Sequence, residues 1–298
     1  MTGELKSVSV DGLKEIGRGM TSRVYQLDED KIIKVFYPGR TVEEIEEERS
    51  ASRRAFIKGV PTAITYQLVR VDDSFGIIYE LIEADTLAGA IHKSPEKLDE
   101  YAKKAADVLN GLHQTEYAKG ELPDTREVWW HLCELGLVNY ISEEEQNRLR
   151  DFLMGLPERN TFIHGDFHAL NIMVRNEELI LIDVGDASLG HPVLDLASVY
   201  MACVMLPKKA TSEQQKSVMI MTADEWQAFW DAFIRAYLKT EEDKALREAE
   251  TQIKRFATLR MCITHALLPG RTKEQKADFI KPKMESFFAG MDDIRVIP

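Results

Sequence analysis

Three polar side chains stand among apolar residues in the stretch FIHGDFHALNIMVRNEELILID: Asp166, Asn171 and Asp183. A carboxylate or an amide beside apolar strands is unfavourable unless another group pairs with it, and a metal ion or a substrate is a common partner. Carboxylate and amide oxygens are the ligands that a hard cation such as Mg²⁺ prefers. These residue types therefore indicate a magnesium site at Asn171 and Asp183, with the carboxylate of Asp166 just upstream.

The segment IMVRNEELILI predicts a β-hairpin, because two apolar runs flank the polar turn RNEE. Antiparallel pairing about Glu177 places Val174 opposite Ile180, and Asn171 opposite Asp183. Residues directly opposite each other share a face of the sheet, with Cβ atoms about 5 Å apart. The predicted register therefore directs the amide and the carboxylate at one point.

The segment HGDFHALN resembles the catalytic loop of the aminoglycoside phosphotransferase and choline kinase family, which are small-molecule relatives of protein kinases. In kinases this loop contains an Asp, four further residues and an Asn, and a metal-binding Asp follows a hairpin. Asp166, Asn171 and Asp183 match these positions. The resemblance implies that Asp166 orients an acceptor hydroxyl and accepts its proton, while Asn171 and Asp183 hold Mg²⁺.

Two further residues are expected to support the loop. His164 begins the His-Gly-Asp triplet of the family and is expected to hold the loop by hydrogen bonds. Asp195 begins an Asp-Leu-Ala element that the family also has, and the resemblance implies that it braces the loop. A zinc cluster of His164, Asp166 and His168 is an alternative, but the residues alternate in an extended segment and no further ligand is near.

Residues 8–37 predict a strand, a glycine loop, a strand, a turn and a strand. The loop contains Gly17, Gly19, Thr21 and Ser22. Glycines allow backbone N–H groups to approach phosphates closely. No helix signal follows, so the loop matches neither a dinucleotide fingerprint nor a Walker loop. The resemblance implies a kinase-type loop that covers the phosphates of a nucleotide.

Lys34 lies in the third predicted strand, where the resemblance implies a lysine that contacts the α- and β-phosphates and pairs with a glutamate of the next helix. Thr41 begins that helix, Glu44 completes a capping box and Gly59 ends it. Glu48 lies on the apolar face and is the expected partner of Lys34, with Glu44 as the second candidate.

The segment from Tyr79 to Leu87 resembles the hinge of the family. There the backbone carbonyl of Glu80 and the backbone N–H of Ile82 are expected to bind the adenine edge, with Tyr79 beside them. The hinge ends the first lobe. We therefore expect an N-lobe at 1–84 and a C-lobe at 85–298.

The fold implied by the resemblance is α+β: a bilobal, protein-kinase-like fold with a β-meander and one helix in the N-lobe. The C-lobe is expected to be mostly helical and to carry the catalytic hairpin, and apolar periodicity predicts its helices. The helices after residue 200 would line the acceptor pocket. Near the C-terminus, Asp292 and Asp293 would either bind amines or form a solvated end.

Composition excludes some classes of function. The chain has 298 residues and a net charge of −12, which argues against nonspecific nucleic-acid binding. No apolar stretch is long enough to span a bilayer, and the first residues lack a signal-peptide pattern. The odd number of scattered cysteines, at Cys133, Cys203 and Cys262, suggests reduced thiols in a cytoplasmic protein.

The resulting hypothesis is an ATP- and Mg²⁺-dependent phosphotransferase that acts on a hydroxyl of a small molecule, with cationic acceptors among the candidates. GTP stays open as the donor, and the oligomeric state is open. One alternative is a catalytically silent nucleotide-binding regulator. Another is a protein Ser/Thr kinase, which is disfavoured by the short link between Asp183 and Asp195 and by Gly165 in place of the kinase arginine.

Overall fold

The computed structural model describes residues 5–19, 21–210 and 219–296. Within them the chain forms two compact units, the first made of residues 1–87 and 170–187 and the second of 88–169 and 188–298. The hairpin that contains the candidate metal ligands groups with the first unit, whereas the sequence analysis assigned it to the C-lobe.

Five antiparallel strands form the main sheet of the first unit: β1 Glu15–Arg18, β2 Ser22–Gln26, β3 Lys31–Phe36, β4 Thr65–Val71 and β5 Ser74–Glu80. Their order is β1-β2-β3-β5-β4. Ile33 packs with one apolar cluster, and Phe36 packs with another that includes Ile45 of the following helix. Because successive side chains of a strand point to opposite faces, Lys34 shares the face of Phe36.

Helix α1, Val42–Ile57, begins and ends where the sequence predicts. The Thr41 side chain accepts a hydrogen bond from the Glu44 N–H, and the Glu44 side chain accepts one from the Thr41 N–H. At the other end Gly59 has a φ of +87°, and the Val60 N–H donates to the Ala55 carbonyl at 3.0 Å. This Schellman arrangement needs a left-handed residue, and glycine adopts that conformation without strain.

The hairpin of β8, Ile172–Arg175, and β9, Glu178–Leu181, is present, but the predicted register is wrong by one residue. Val174 faces Leu179 rather than Ile180. The turn has two central residues with positive φ, Asn176 and Glu177. In such a two-residue turn the strands pair symmetrically about the midpoint between the two residues, whereas the prediction paired them about Glu177 itself.

The correct register moves Asp183 away from the position opposite Asn171. The Ile182 N–H donates to the Asn171 carbonyl at 3.0 Å, so Ile182 is the cross-strand neighbour. Asp183 then leaves the strand in a left-handed conformation with a φ of +59°. Strand alternation therefore does not set the direction of the Asp183 side chain.

Several contacts attach the hairpin to the rest of the first unit. The short strand β6, Asp85–Thr86, pairs antiparallel with β8. The Thr62 hydroxyl donates to the Leu181 carbonyl at 2.9 Å. These contacts explain why the hairpin groups with the sheet of the first unit.

The second unit is mostly helical. It contains two short paired strands, β7 Phe162–Ile163 and β10 Ser188–Leu189. Its helices are α2 Leu87–Lys93, α3 Leu98–Gln114, α4 Thr125–Leu135, α5 Glu143–Met154, α6 Val193–Tyr200, α7 Ala223–Leu238, α8 Asp243–Leu267 and α9 Lys273–Ala289. Four aromatic residues of α7 are buried and pack in the core, namely Trp226, Phe229, Trp230 and Phe233. In the described part of the chain no helix has the length and apolarity needed to cross a membrane.

Candidate active site

Lys34 lies between two carboxylates of the first unit. Its Nζ is 2.8 Å from Glu48 Oε1 and 2.5 Å from Asp183 Oδ1. Burial alone would lower the pKa of the Lys34 ammonium, but the charges of Asp183 and Glu48 outweigh it and raise that pKa. The lysine therefore stays protonated and links strand β3 to helix α1 and to the end of the hairpin.

Glu48, rather than Glu44, pairs with Lys34 in the structure. Glu44 is occupied by the helix cap, whereas the Glu48 side chain is only 6% exposed and its second oxygen lies 2.6 Å from Arg40 Nη1. Gly185 packs against this glutamate, and a Cβ atom on Gly185 would lie 2.1 Å from Glu48 Cγ. The glycine two residues after Asp183 is therefore needed for the close approach of Glu48.

A cavity of about 350 Å³ opens beside the lysine, within the range of small-ligand pockets. Its walls come from the first unit and are mostly apolar, with Ile16, Val24, Ile32, Met173 and Ile182 among them. Asn171 and Asp183 both line this cavity, as does Lys34. The two candidate metal ligands thus face the same space even though the predicted register is wrong.

The glycine loop contributes three of its four candidate residues to the cavity, namely Gly17, Gly19 and Ser22. The loop is closed by a hydrogen bond of 2.9 Å from the Gly19 N–H to the Ser22 carbonyl. Thr21 is exposed and is not part of the cavity wall. Met20 lies outside the described residues.

The hinge segment also lines the cavity, with Tyr79, Glu80, Leu81 and Ile82. The Glu80 side chain has partners of its own, separate from the backbone carbonyl that is expected to bind a base. Its Oε1 accepts a hydrogen bond from Arg175 Nη1 at 2.9 Å, and its Oε2 accepts one from the Ile64 N–H at 3.2 Å. The Leu81 N–H donates to the Asp30 carbonyl. These bonds hold the segment along the cavity.

In the second unit, the Asp195 side chain holds the backbone of the candidate catalytic loop at His164 and Gly165. Asp195 is fully buried, and its two carboxylate oxygens accept hydrogen bonds from the His164 N–H at 2.8 Å and the Gly165 N–H at 2.7 Å. Hydrogen bonds to a carboxylate are stronger than neutral ones. Gly165 has a φ of +85°, a left-handed conformation that glycine adopts without strain.

Two residues that the sequence analysis did not single out extend this network. His113 Nε2 lies 3.0 Å from Asp195 Oδ2, and His113 Nδ1 lies 2.7 Å from the Tyr237 hydroxyl. Because the carboxylate only accepts, His113 Nε2 carries the hydrogen of its bond to Asp195. No sequence signal links these residues, since they come from helices α3, α6 and α7.

Asp166 is partly exposed, and His168 Nε2 lies 3.4 Å from one of its carboxylate oxygens. Burial would raise the pKa of Asp166, but His168 and the charge of Arg260 outweigh it and hold that pKa well below its ordinary value. Arg260 also donates to the Gly165 carbonyl at 3.2 Å, as Ser198 does at 3.1 Å. The carboxylate is therefore ionised at neutral pH.

His164 is fully buried, and its Nδ1 accepts a hydrogen bond from the Asp166 N–H at 3.3 Å. His164 thus forms a hydrogen bond with the backbone of the loop that contains it. Among the described residues no group of three or more His, Cys, Asp and Glu side chains is placed to hold a metal ion. Asp292 and Asp293 are exposed in a short helical turn of the second unit.

Comparison with known proteins identifies the family to which this chain belongs. Residues 12–250 match the family described as the phosphotransferase enzyme family, APH. The chain belongs to this family, which confirms the family that the sequence motifs suggested. No curated protein sequence matches the chain.

Solved structures with the same fold include an ADP-bound aminoglycoside phosphotransferase, APH(2'')-Ib, with 18% identity, a TM-score of 0.57 and coverage of 92% of each chain. A choline/ethanolamine kinase family protein from Mesorhizobium loti has 16% identity and a TM-score of 0.57, over 93% of this chain and 87% of that one. The amicoumacin kinase hAmiN, in complex with AMP-PNP, Ca²⁺ and Ami, has 16% identity and a TM-score of 0.58. The similarity covers 95% of this chain and 90% of that one. These similarities confirm the kinase-like fold.

Proposed function

We propose that this protein is an ATP- and Mg²⁺-dependent kinase that phosphorylates a hydroxyl group of a small molecule. The observation that carries the proposal is Lys34, a protonated lysine held by Glu48 and Asp183 at the wall of a cavity that the glycine loop also lines. A lysine in such a position neutralises the charge of nucleotide phosphates.

The cavity supports a nucleotide as the donor. Its apolar walls suit a purine ring, and the Ile82 N–H has no hydrogen-bond partner among the described residues, so it is available to the base. We assign the Glu80 carbonyl and the Ile82 N–H to the adenine edge. GTP is the alternative donor, and the same backbone groups would then meet a guanine edge.

The donor set at the cavity fits a hard divalent cation. Asn171 and Asp183 present an amide oxygen and a carboxylate to the same space, and these are oxygen ligands of the kind that Mg²⁺ takes. Bound there, the cation would neutralise charge on the nucleotide phosphates. Lys34 also contacts Asp183, so the lysine and the cation would share one carboxylate.

Asp166 supplies the group for the acceptor. Its carboxylate is ionised and is positioned through the backbone bonds between its loop and Asp195. Because its pKa is low, Asp166 is a weak base, which suits a role in orienting the hydroxyl and accepting its proton as the bond to phosphorus forms. The acceptor oxygen bonds to the γ-phosphorus, the bond to the β-phosphate oxygen breaks, and the nucleoside diphosphate leaves.

The test is the variant Asp166→Asn, assayed for ADP formation against a panel of hydroxylated small molecules that includes cationic ones. We expect turnover to fall by roughly 10²–10⁴-fold, the usual contribution of a positioned acid–base group. Nucleotide affinity, measured by calorimetry, should stay within a factor of about two to three, since the Lys34 site is unaltered.

Three outcomes would contradict the proposal. Turnover retained in Asp166→Asn would remove this carboxylate from the reaction. Tight ATP binding by the wild type without ADP formation for any acceptor would favour the silent regulator, and phosphorylation of a peptide would favour the protein kinase.

A further inference from the structure

Three cationic or imidazole side chains of the second unit surround one aromatic ring. Phe279, on α9, stacks against His265 of α8 with ring centroids 3.7 Å apart and an angle of 15° between the planes. The ammonium groups of Lys283 and Lys209 lie 3.7 Å and 4.2 Å from the centre of the same ring. Cation–π contact favours each ammonium singly, but it does not remove the repulsion between two of them.

The remaining contacts of these ammonium groups are uncharged. Lys209 Nζ lies 2.9 Å from the thioether sulfur of Met261, and Lys283 Nζ donates to the Phe279 carbonyl at 3.0 Å. Within the described residues neither lysine pairs with a carboxylate, although the chain has 50 acidic and 38 basic residues. Burial and the charge of Lys283 both lower the pKa of Lys209. Among the described residues this concentration of positive charge has no carboxylate as a counter-ion, so a bound anion would relieve the repulsion between the two ammonium groups.

His265 adds an independent observation. Its side chain is buried, with only 7% of its surface exposed, and its Nε2 atom has no hydrogen-bond partner. A buried polar atom without a partner is rare in folded proteins and requires an explanation. Burial, followed by the charges of Arg271, Lys209, Lys283 and Lys276, lowers the pKa of His265 to about 4. The imidazole is therefore neutral at pH 7 and can donate a hydrogen bond from Nε2.

We propose that Lys209, Lys283 and His265 form a binding site for a phosphate group, with the two ammonium groups supplying the charge and His265 Nε2 supplying a hydrogen-bond donor. Lysine acts on phosphate as a point charge with freely rotating donors, whereas planar carboxylates are matched best by the fork of arginine. The site therefore suits a tetrahedral dianion better than a carboxylate.

This site is separate from the catalytic loop. His265 lies five residues after Arg260 on α8, which is a rotation of roughly 140° around the helix axis. Arg260 contacts the Gly165 carbonyl, whereas His265 stacks on Phe279 of α9. The inference therefore does not depend on the proposed kinase reaction.

The test is a titration of the full-length protein with inorganic phosphate at constant ionic strength, followed by calorimetry and by thermal denaturation. We expect saturable binding and a phosphate-dependent rise in Tm for the wild type. Lys209→Gln and Lys283→Gln should each weaken binding at least about tenfold, as expected for loss of a charged partner, and their Tm should no longer rise. Lys281→Gln, an exposed neighbour on α9, is the matched control and should bind like the wild type.

Four further comparisons make the result specific. Binding should survive Lys34→Met, which separates this site from phosphate binding in the nucleotide cavity. His265→Phe, which keeps an aromatic ring against Phe279, should weaken binding without unfolding the protein. Glycerol phosphate, tested in the same way, distinguishes a site for organic phosphates from one for the free ion, and acetate should bind weakly or not at all.

The proposal is overturned if the wild type shows no saturable phosphate binding. It is equally overturned if the double variant Lys209→Gln/Lys283→Gln binds phosphate as the wild type does. A third outcome also rejects the site. If every variant except Lys281→Gln lost both phosphate binding and the circular dichroism spectrum of the folded protein, the cluster would contribute to packing and not to binding.

Discussion

In the first unit the carboxylates of Glu48 and Asp183 are held by side-chain cations, whereas in the second unit Asp195 is held by backbone N–H groups of the candidate catalytic loop. Asp183 is 48% exposed and Asp195 is fully buried. Ion pairs between side chains can exchange partners when a charged ligand arrives, because only side-chain rotations are needed. Bonds from the backbone to a buried carboxylate fix the path of the chain itself.

This difference between the two carboxylate sites predicts where a substitution is tolerated without loss of stability. Under the proposed function, a nucleotide phosphate at Lys34 would replace part of the contact to Asp183 at little structural cost. At Asp195, loss of an acceptor leaves buried N–H groups without partners, which is costly whatever ligand is bound. Variants of the first site should therefore alter ligand binding and turnover, and variants of the second should alter stability as well.

Among the variants that test the difference between the two sites, Lys34→Met should have the largest effect on activity. We expect kcat/KM to fall by roughly 10²–10³-fold, as for removal of one electrostatic group from an active site, with the folded state retained. Lys31→Met is the matched control: Lys31 is on the same strand but pairs with the exposed Asp28 at 3.1 Å. Equal losses in the two variants would show that Lys34 has no special role.

Asp195→Asn should act mainly on stability. The amide replaces one accepting oxygen with a donor, so a buried N–H of the loop loses its partner, and the free energy of unfolding should fall by about 2–3 kcal/mol. Urea denaturation measures the loss. Tyr237→Phe, which removes only the outer hydroxyl of the network, should cost less, and a larger loss there would contradict the central place of Asp195.

Gly185→Ala should move Glu48, because the new methyl group would overlap its side chain. Overpacking of this kind costs about 1–3 kcal/mol, and nucleotide affinity should weaken with it. Gly111→Ala is the control, since nothing lies within 4 Å of a Cβ atom at Gly111 inside α3. That variant should be neutral or stabilise the helix by about 0.5–1 kcal/mol. If Gly111→Ala also destabilised the protein, the loss in Gly185→Ala could not be attributed to overlap with Glu48.

The effect that is smallest at neutral pH concerns stability in acid. Burial, with the charges of Arg159 and His113, lowers the pKa of His191 from 6.5 to about 4. The unfolded chain therefore takes up this proton first, and stability should fall as the pH drops from 6.5 towards 4, by at most about 1.4 kcal/mol per pH unit.

Thermal denaturation over this pH range measures the effect. His191→Asn removes the titrating group and should flatten the decline relative to the wild type, whereas the same change at the exposed His131 should not. An identical pH slope in wild type and His191→Asn would exclude His191 as the cause.

The sequence by itself determined the local elements and the type of each chemical group. The capping box of α1, the glycine that ends it and the hairpin follow from short-range rules, because the interacting atoms are only a few residues apart. The motif around Asp166, Asn171 and Asp183 identified the family, since its residue types and spacing are specific.

The tertiary structure alone decided the register and the partners. A two-residue turn with two positive φ values shifted the hairpin by one residue, and Asp183 still reached the cavity because its left-handed backbone redirects the side chain. The contact of Glu48 with Gly185, and the link from Asp195 through His113 to Tyr237, join residues far apart in the chain. Such contacts depend on how helices pack, and no local pattern of residues encodes them.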